Sequence, residues 1–231
     1  MTPTPTTAPA PAATAKPKPK PIYCSGPMFS PGDKSDQLAV ATALEKAGYT
    51  TYLPQRDGLE IGKMMDLLKK PIIEATFFTK AVMLVQKAGF TMDVYQLLAG
   101  CRAVVFNMNG RVPDEGSVME AATAFGAGMP IVIYKDTPIT AMGNFDNCML
   151  QGLSQTWTYA ESYDAIAPLL ADQIARVEAS GYTYTPPPTL QAYIDKGAEV
   201  QALHDDITAT LHDGGLKAIG KLFKDLEKLL L

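Results

Sequence analysis

The run Pro113-Asp-Glu-Gly-Ser-Val-Met-Glu120 puts two carboxylates, Asp114 and Glu120, on either side of a glycine turn. It follows an apolar segment, Ala103-Val-Val-Phe106, and precedes another, Pro130-Ile-Val-Ile-Tyr134. A carboxylate in that setting sits at the carboxyl edge of a parallel sheet, where open α/β folds bind ligands. Two acidic groups on one rim can divide nucleophilic and acid/base work between them. The same residues also admit a plain structural role. Ser117 and Glu120 have the spacing of a capping box, in which a serine accepts an amide hydrogen bond and a glutamate returns one.

The elements that would hold these residues alternate. Pro21-Ile-Tyr-Cys-Ser25 reads as a strand ending in the turn Gly26-Pro27. An amphipathic helix follows through Gln37–Glu45 and stops at Gly48. Tyr49–Leu53 alternates as a strand and runs into a loop, Pro54–Gly58, with turn chemistry. Residues 61–100 read as two or more helices broken near Pro71 and Gly89, with a helix start at Val94 that would make Asp93 an N-cap. Then come the Ala103–Phe106 strand, a helix across Glu120–Gly126, the Ile131–Tyr134 strand, a fifth strand within Gln155–Tyr159, and a helix across Tyr163–Ala179. This order predicts an α/β fold with a doubly wound, mostly parallel five-stranded sheet, flavodoxin-like or Rossmann-like.

Flanking segments differ in composition. Residues 1–20 contain only Met, Thr, Pro, Ala and Lys, with six prolines, which predicts a flexible tail. Residues 21–182 form the α/β domain. Thr183–Thr189 reads as a linker, and residues 190–213 and 215–231 as a C-terminal helical extension. In the last helix Leu216, Ile219, Phe223, Leu226 and Leu230 form an apolar seam at steps of three and four, suited to packing on its own or a neighbouring subunit.

Composition narrows the function classes. A net charge of −4 and a pI near 5.2 argue against a general nucleic-acid binder. No apolar run approaches the roughly 18 residues a membrane span needs, and the N-terminus lacks a secretory apolar core, so a cytoplasmic protein is expected. Three widely spaced cysteines, Cys24, Cys101 and Cys148, and two histidines predict reduced thiols and no metal site. Ser25-Gly-Pro-Met is not a dinucleotide-binding glycine turn.

Four segments taken together carry a resemblance: Ile22-Tyr-Cys-Ser-Gly-Pro-Met-Phe29, Tyr52-Leu-Pro-Gln-Arg-Asp-Gly58, Asp93 ahead of a short strand, and Asp114-Glu-Gly-Ser-Val-Met-Glu120. In this order, over roughly residues 21–180, the chain resembles the nucleoside 2-deoxyribosyltransferase family. The resemblance implies exchange of the base of a 2′-deoxynucleoside for a free base through a covalent deoxyribosyl-enzyme, with no cofactor. It implies Glu120 as nucleophile, Asp93 as the acid and base at the nucleobase, and Tyr23 as the hydroxyl orienting Glu120. Substrate contacts would come from Asp114, Gly116, Gly26, Met28, Phe29 and Gln55, with Asp57 an alternative to Gln55. Asn147-Cys-Met149 resembles a segment that family members lend to a neighbouring subunit, which implies a homo-oligomer with sites completed in trans. The loop before it differs in length, so Asn144 or Asp146 could take that role. A related branch hydrolyses deoxynucleoside 5′-monophosphates and has a serine at the position of Asp114. A carboxylate about 4 Å from a phosphate opposes it by roughly 4 kcal/mol at an effective dielectric near 20, so aspartate favours nucleosides. The alternatives are an N-glycoside hydrolase using the same residues, and a nucleotide-binding module that kept the fold and lost the chemistry.

Overall fold

The structure, a computed structural model, describes residues 19–59, 61–62, 64, 75–110, 112–137, 143, 145–213 and 216–231. The proline-rich tail up to residue 18, the helix break expected at Pro71, and Asn144 lie outside the described residues.

Five strands form one parallel sheet: β1 Ile22–Ser25, β2 Thr51–Tyr52, β3 Ala103–Asn107, β4 Ile131–Tyr134 and β5 Tyr159–Ala160. Their order is β2-β1-β3-β4-β5, the flavodoxin-like doubly wound arrangement expected from the sequence. The three central strands read as unbroken apolar runs because both faces of the sheet are covered. On one face α1 (Pro31–Lys46) and α6 (Tyr163–Ser180) close over Ile22, Cys24, Val105, Val132 and Tyr134. On the other, α4 (Glu115–Gly126) and the segment around Leu97 cover Tyr23, Val104, Phe106 and Ile133. Cys24 and Cys101 are buried among these groups, as expected, and burial pushes the Cys101 thiol up to about 12.

Several boundaries depart from the sequence reading. Pro54–Gly58 is not a plain loop: a one-turn helix, α2 (Pro54–Asp57), starts on the proline, and Asp57 Oδ2 accepts the Leu53 amide at 2.9 Å. Gly89 does not break a helix. It lies inside α3 (Ala75–Tyr95), where a Cβ would come within 2.6 Å of Ile61 Cδ1, so the glycine makes room for a neighbour. No helix starts at Val94 either, and Asp93 sits in the last turn of α3 rather than at an N-cap. The chain continues from Tyr95 directly into a single π-helical turn, Gln96–Gly100. The N-cap of α4 is Asp114, not Ser117. The fifth strand falls at Tyr159–Ala160 because the preceding segment turns, with Trp157 in the left-handed region at φ 55°.

The C-terminal extension comprises α7 (Pro188–Ala202), α8 (His204–Asp213) and α9 (Leu216–Leu230). Pro188 and Thr189 belong to α7 rather than to the linker, since proline suits the first helical position. One continuous helix over 190–213 is likewise not observed: α7 ends at Ala202, capped by Leu203. Phe223, Leu226 and Leu230 of the expected seam are buried with Leu222 against Leu84, Val85, Ala88 and Met92 of α3. These three seam residues therefore pack on their own chain and belong to a second core beside the sheet. Among the described residues no helix is long and apolar enough to cross a membrane.

Candidate active site

Strand periodicity builds one half of the site. Alternate residues of β1 face the same side of the sheet, so Ile22 and Cys24 enter one core while Tyr23 and Ser25 face α4. Helix periodicity builds the other half. Ser117, Ala121 and Ala124 form the buried stripe of α4, and Glu120 lies beside it, one turn beyond Ser117. The two patterns meet at the Glu120 carboxylate. Tyr23 donates its hydroxyl to Oε1 at 2.8 Å, and Ser25 donates to Oε2 at 2.6 Å. Each oxygen thus has its own donor, which fixes the carboxylate plane.

Electrostatics follow from this burial. Desolvation raises the Glu120 pKa, the bonds from Ser25 and Tyr23 pull it back, and the charge of Asp114 raises it again. The net shift is upward. Asp93 enters from the last turn of α3. Burial, then the Glu120 charge, push its carboxyl up to about 7. A proton is therefore held by Asp93 near neutrality while Glu120 is offered hydrogen bonds suited to its ionised form. Two carboxyls with divergent surroundings can serve as acid and nucleophile.

Asp114 combines the structural and the functional reading. Its Oδ2 accepts from both the backbone amide and the hydroxyl of Ser117, each at 2.8 Å, so it caps α4 while standing close enough to Glu120 to raise its pKa. Gly26 follows β1 directly. A Cβ there would come within 1.9 Å of Gln37 Nε2 and 2.8 Å of Asn107 Cβ, so the turn has no room for a side chain. Met28 is half-buried, Phe29 is 82% exposed, and Gly116 lies exposed in the first turn of α4. Gln55 donates to the Lys34 carbonyl at 2.9 Å, and its Oε1 is buried without a partner. Asp57, the alternative, is held by Arg56 at 2.9 Å and by the Leu53 amide.

Asn147 and Met149 lie in the segment between β4 and β5. Asn147 caps the one-turn helix α5 (Cys148–Gln151), accepting the Met149 amide at 2.9 Å, and Met149 is 77% exposed. Asp146, the alternative there, pairs at 2.8 Å with the buried Lys135.

Two groups escaped the sequence reading. Ser25 was signalled by its place two residues after Tyr23 on a strand. Tyr52 packs its ring 5.4 Å from that of Tyr23, and its buried hydroxyl has no partner. Burial raises its pKa most, and the charges of Asp93 and Glu120 add to the shift. A third feature, on the other face, had no local signal: Asp36 accepts from Asn107 at 2.7 Å, from Asn109 at 3.4 Å and from Tyr163, and ties α1 to the end of β3 and the start of α6.

No family model matches the chain, and no curated protein matches it significantly. Among solved structures the chain is similar to a conserved protein from Enterococcus faecalis V583, with 18% identity and a TM-score of 0.45 over 68% of this chain and 99% of that one.

Proposed function

We propose that this protein is a nucleoside 2-deoxyribosyltransferase, exchanging the base of a 2′-deoxynucleoside for a free base through a deoxyribosyl ester on Glu120. The observation that carries the reading is the Glu120 carboxylate held by Tyr23 and Ser25, at the carboxyl ends of β1 and β3, with the Asp93 carboxyl pushed up to about 7 by burial and by the Glu120 charge. This is the crevice where a parallel sheet of this order changes direction and where ligands of such folds bind.

In the first half-reaction a Glu120 oxygen forms a bond to C1′ as the C1′–N bond breaks. The bonding pair leaves with the base, and Asp93 gives its proton to a ring nitrogen. The transition state carries positive charge on the sugar, which a nearby carboxylate stabilises, and a sugar without a 2-hydroxyl reaches it more readily. In the second half the incoming base loses a proton to Asp93 and attacks C1′ from the face the first base left, so configuration is retained. Glu120 is released as a carboxylate into the hydrogen bonds of Tyr23 and Ser25. Asp114, an acceptor with negative charge, favours a sugar hydroxyl over a phosphate. Exposed Asn147 and Met149 suit donation to a second subunit, so the active form is a homo-oligomer.

Incubating the protein with deoxyinosine and adenine should yield deoxyadenosine and hypoxanthine, followed by chromatography. Deoxyribose without a new nucleoside would make the enzyme a hydrolase instead. Glu120→Ala should lose exchange by several orders of magnitude. Acid-quenched wild type should carry a deoxyribosyl adduct on the peptide containing Glu120.

A further inference from the structure

We infer that the C-terminal helix α7 is a positioning element for Asp93, acting through Gly197. This rests on the transferase reading above. The residues flanking Asp93 at two positions on either side, Thr91 and Tyr95, share one face of α3, because four residues return a helix nearly to its starting direction. Asp93 lies about 200° around from each and so projects the opposite way, and it interacts electrostatically with Tyr52 and Glu120. α7 packs on the Thr91 and Tyr95 face, behind the acid. The approach is so close that a Cβ at Gly197 would lie 2.1 Å from the Thr91 carbonyl oxygen and 2.5 Å from Tyr95 Cβ.

Three further observations place this contact in the service of the site. α3 ends at Tyr95, two residues after Asp93, and passes into a π-helical turn, a departure from regular winding that frequents functional sites. Gln96 in that turn donates to Gln201 of α7. Just beyond α7, His204 Nε2 lies 3.3 Å from the Gly58 carbonyl oxygen, at the end of the segment that carries Gln55. The extension thus packs behind the acid and touches Gly58, the residue that ends α2. A glycine inside a helix lowers helix stability, so helix propensity alone gives Gly197→Ala the stabilising sign; steric exclusion gives the reverse.

The test is single-turnover base release from two donors by full-length protein. With deoxyinosine the departing base needs the proton of Asp93. With 7-methyl-2′-deoxyinosine the base already carries the positive charge that protonation supplies, and it leaves without an acid. Gly197→Ala should lose at least tenfold on deoxyinosine and less than threefold on the methylated donor. The alkaline limb of its pH profile with deoxyinosine should move to lower pH as Asp93 loses its burial. Gln201→Ala, which adds no volume and keeps the core, should show the same pattern in weaker form and serves if Gly197→Ala does not fold. Equal losses on both donors, or no loss on either, overturn the inference while leaving the transferase intact. Wild type inactive on both donors would instead overturn the transferase reading and this role with it.

Discussion

If Glu120 is the nucleophile, as proposed, Ser25 is the residue whose removal separates its orientation from its identity. Ser25→Ala leaves Glu120 in place and deletes one of its two donors. Hydrogen bonds to a charged group contribute about 1.5–3 kcal/mol, so turnover should fall roughly ten- to a hundredfold. Losing a donor to the ionised form also raises the Glu120 pKa further. The proposed mechanism requires Glu120 ionised and Asp93 protonated, which gives a bell-shaped profile whose limbs belong to the coupled pair. The alkaline limb should fall near pH 7. In Ser25→Ala the acidic limb should move upward, and an unmoved limb would detach Ser25 from the nucleophile. Asp93 also leaves a mark on stability. Its folded pKa, about 7, lies above its unfolded value, so the folded state binds the extra proton between about 4 and 7. Stability from this group is complete below about pH 4 and is lost as pH rises through 7, by on the order of 4 kcal/mol. Asp93→Asn should therefore be more stable than wild type at pH 8 and close to it at pH 4 in urea unfolding. A difference independent of pH would contradict the burial of an ionisable group there.

Among the elements, α4 joins the two readings of the acidic motif that the sequence left in competition. The cap is real, but Asp114 makes it, and Glu120 is thereby released to face β1. Asp114→Ser should keep α4 stable, since serine is an equally good N-cap, whereas Asp114→Ala should cost about 1 kcal/mol. In the serine variant the ratio of monophosphate to nucleoside turnover should rise, and an unchanged ratio would turn Asp114 away from the sugar. The apolar strands and the glycine after α1 were legible because burial on both faces and a left-handed stop leave local traces: Gly48 has φ 89°. The end of α3 was not. Gly89 looked like a break because a sequence does not show that Ile61 fills the space beside it. Asp93 looked like a cap because a sequence does not show that the helix runs on past it into a π-helical turn, whose Gln96 bonds to Gln201 of α7, about a hundred residues further on. Tyr23 and Glu120 were readable from motif order, while the unpartnered hydroxyl of Tyr52 depends on packing across β1 and β2.

At the scale of the whole molecule, the helical extension is part of the packing rather than an appendage. A chain ending near residue 183 would bare Leu84, Val85, Ala88 and Met92 of α3, which α7 and α9 now cover. Each fully buried aliphatic side chain contributes about 1.5–3 kcal/mol, so the shortened protein should aggregate or lose a large part of its thermal stability. Light scattering and a melting curve would read this, and an unchanged melt would make the extension an independent unit. Removing residues 1–17 should leave melting temperature and specific activity unaltered, because their composition offers little to bury.

The sheet order carries a consequence for how the chain acquires its shape as it is made. β1 is the second strand of the sheet, yet its longer partner is β3, in the register Ile22 with Ala103 through Ser25 with Phe106. On a ribosome, β1 has only the two-residue β2 to pair with until residues past 107 have left the exit tunnel. Such distant parallel pairing is slow, since the entropy of closing a long loop precedes any reward from contact. The residues that flank Glu120, Tyr23 and Ser25, belong to the strand that waits longest. Catalytic competence should therefore arrive late in refolding, after most helical signal has returned, and stopped-flow circular dichroism paired with an activity assay would time the two events.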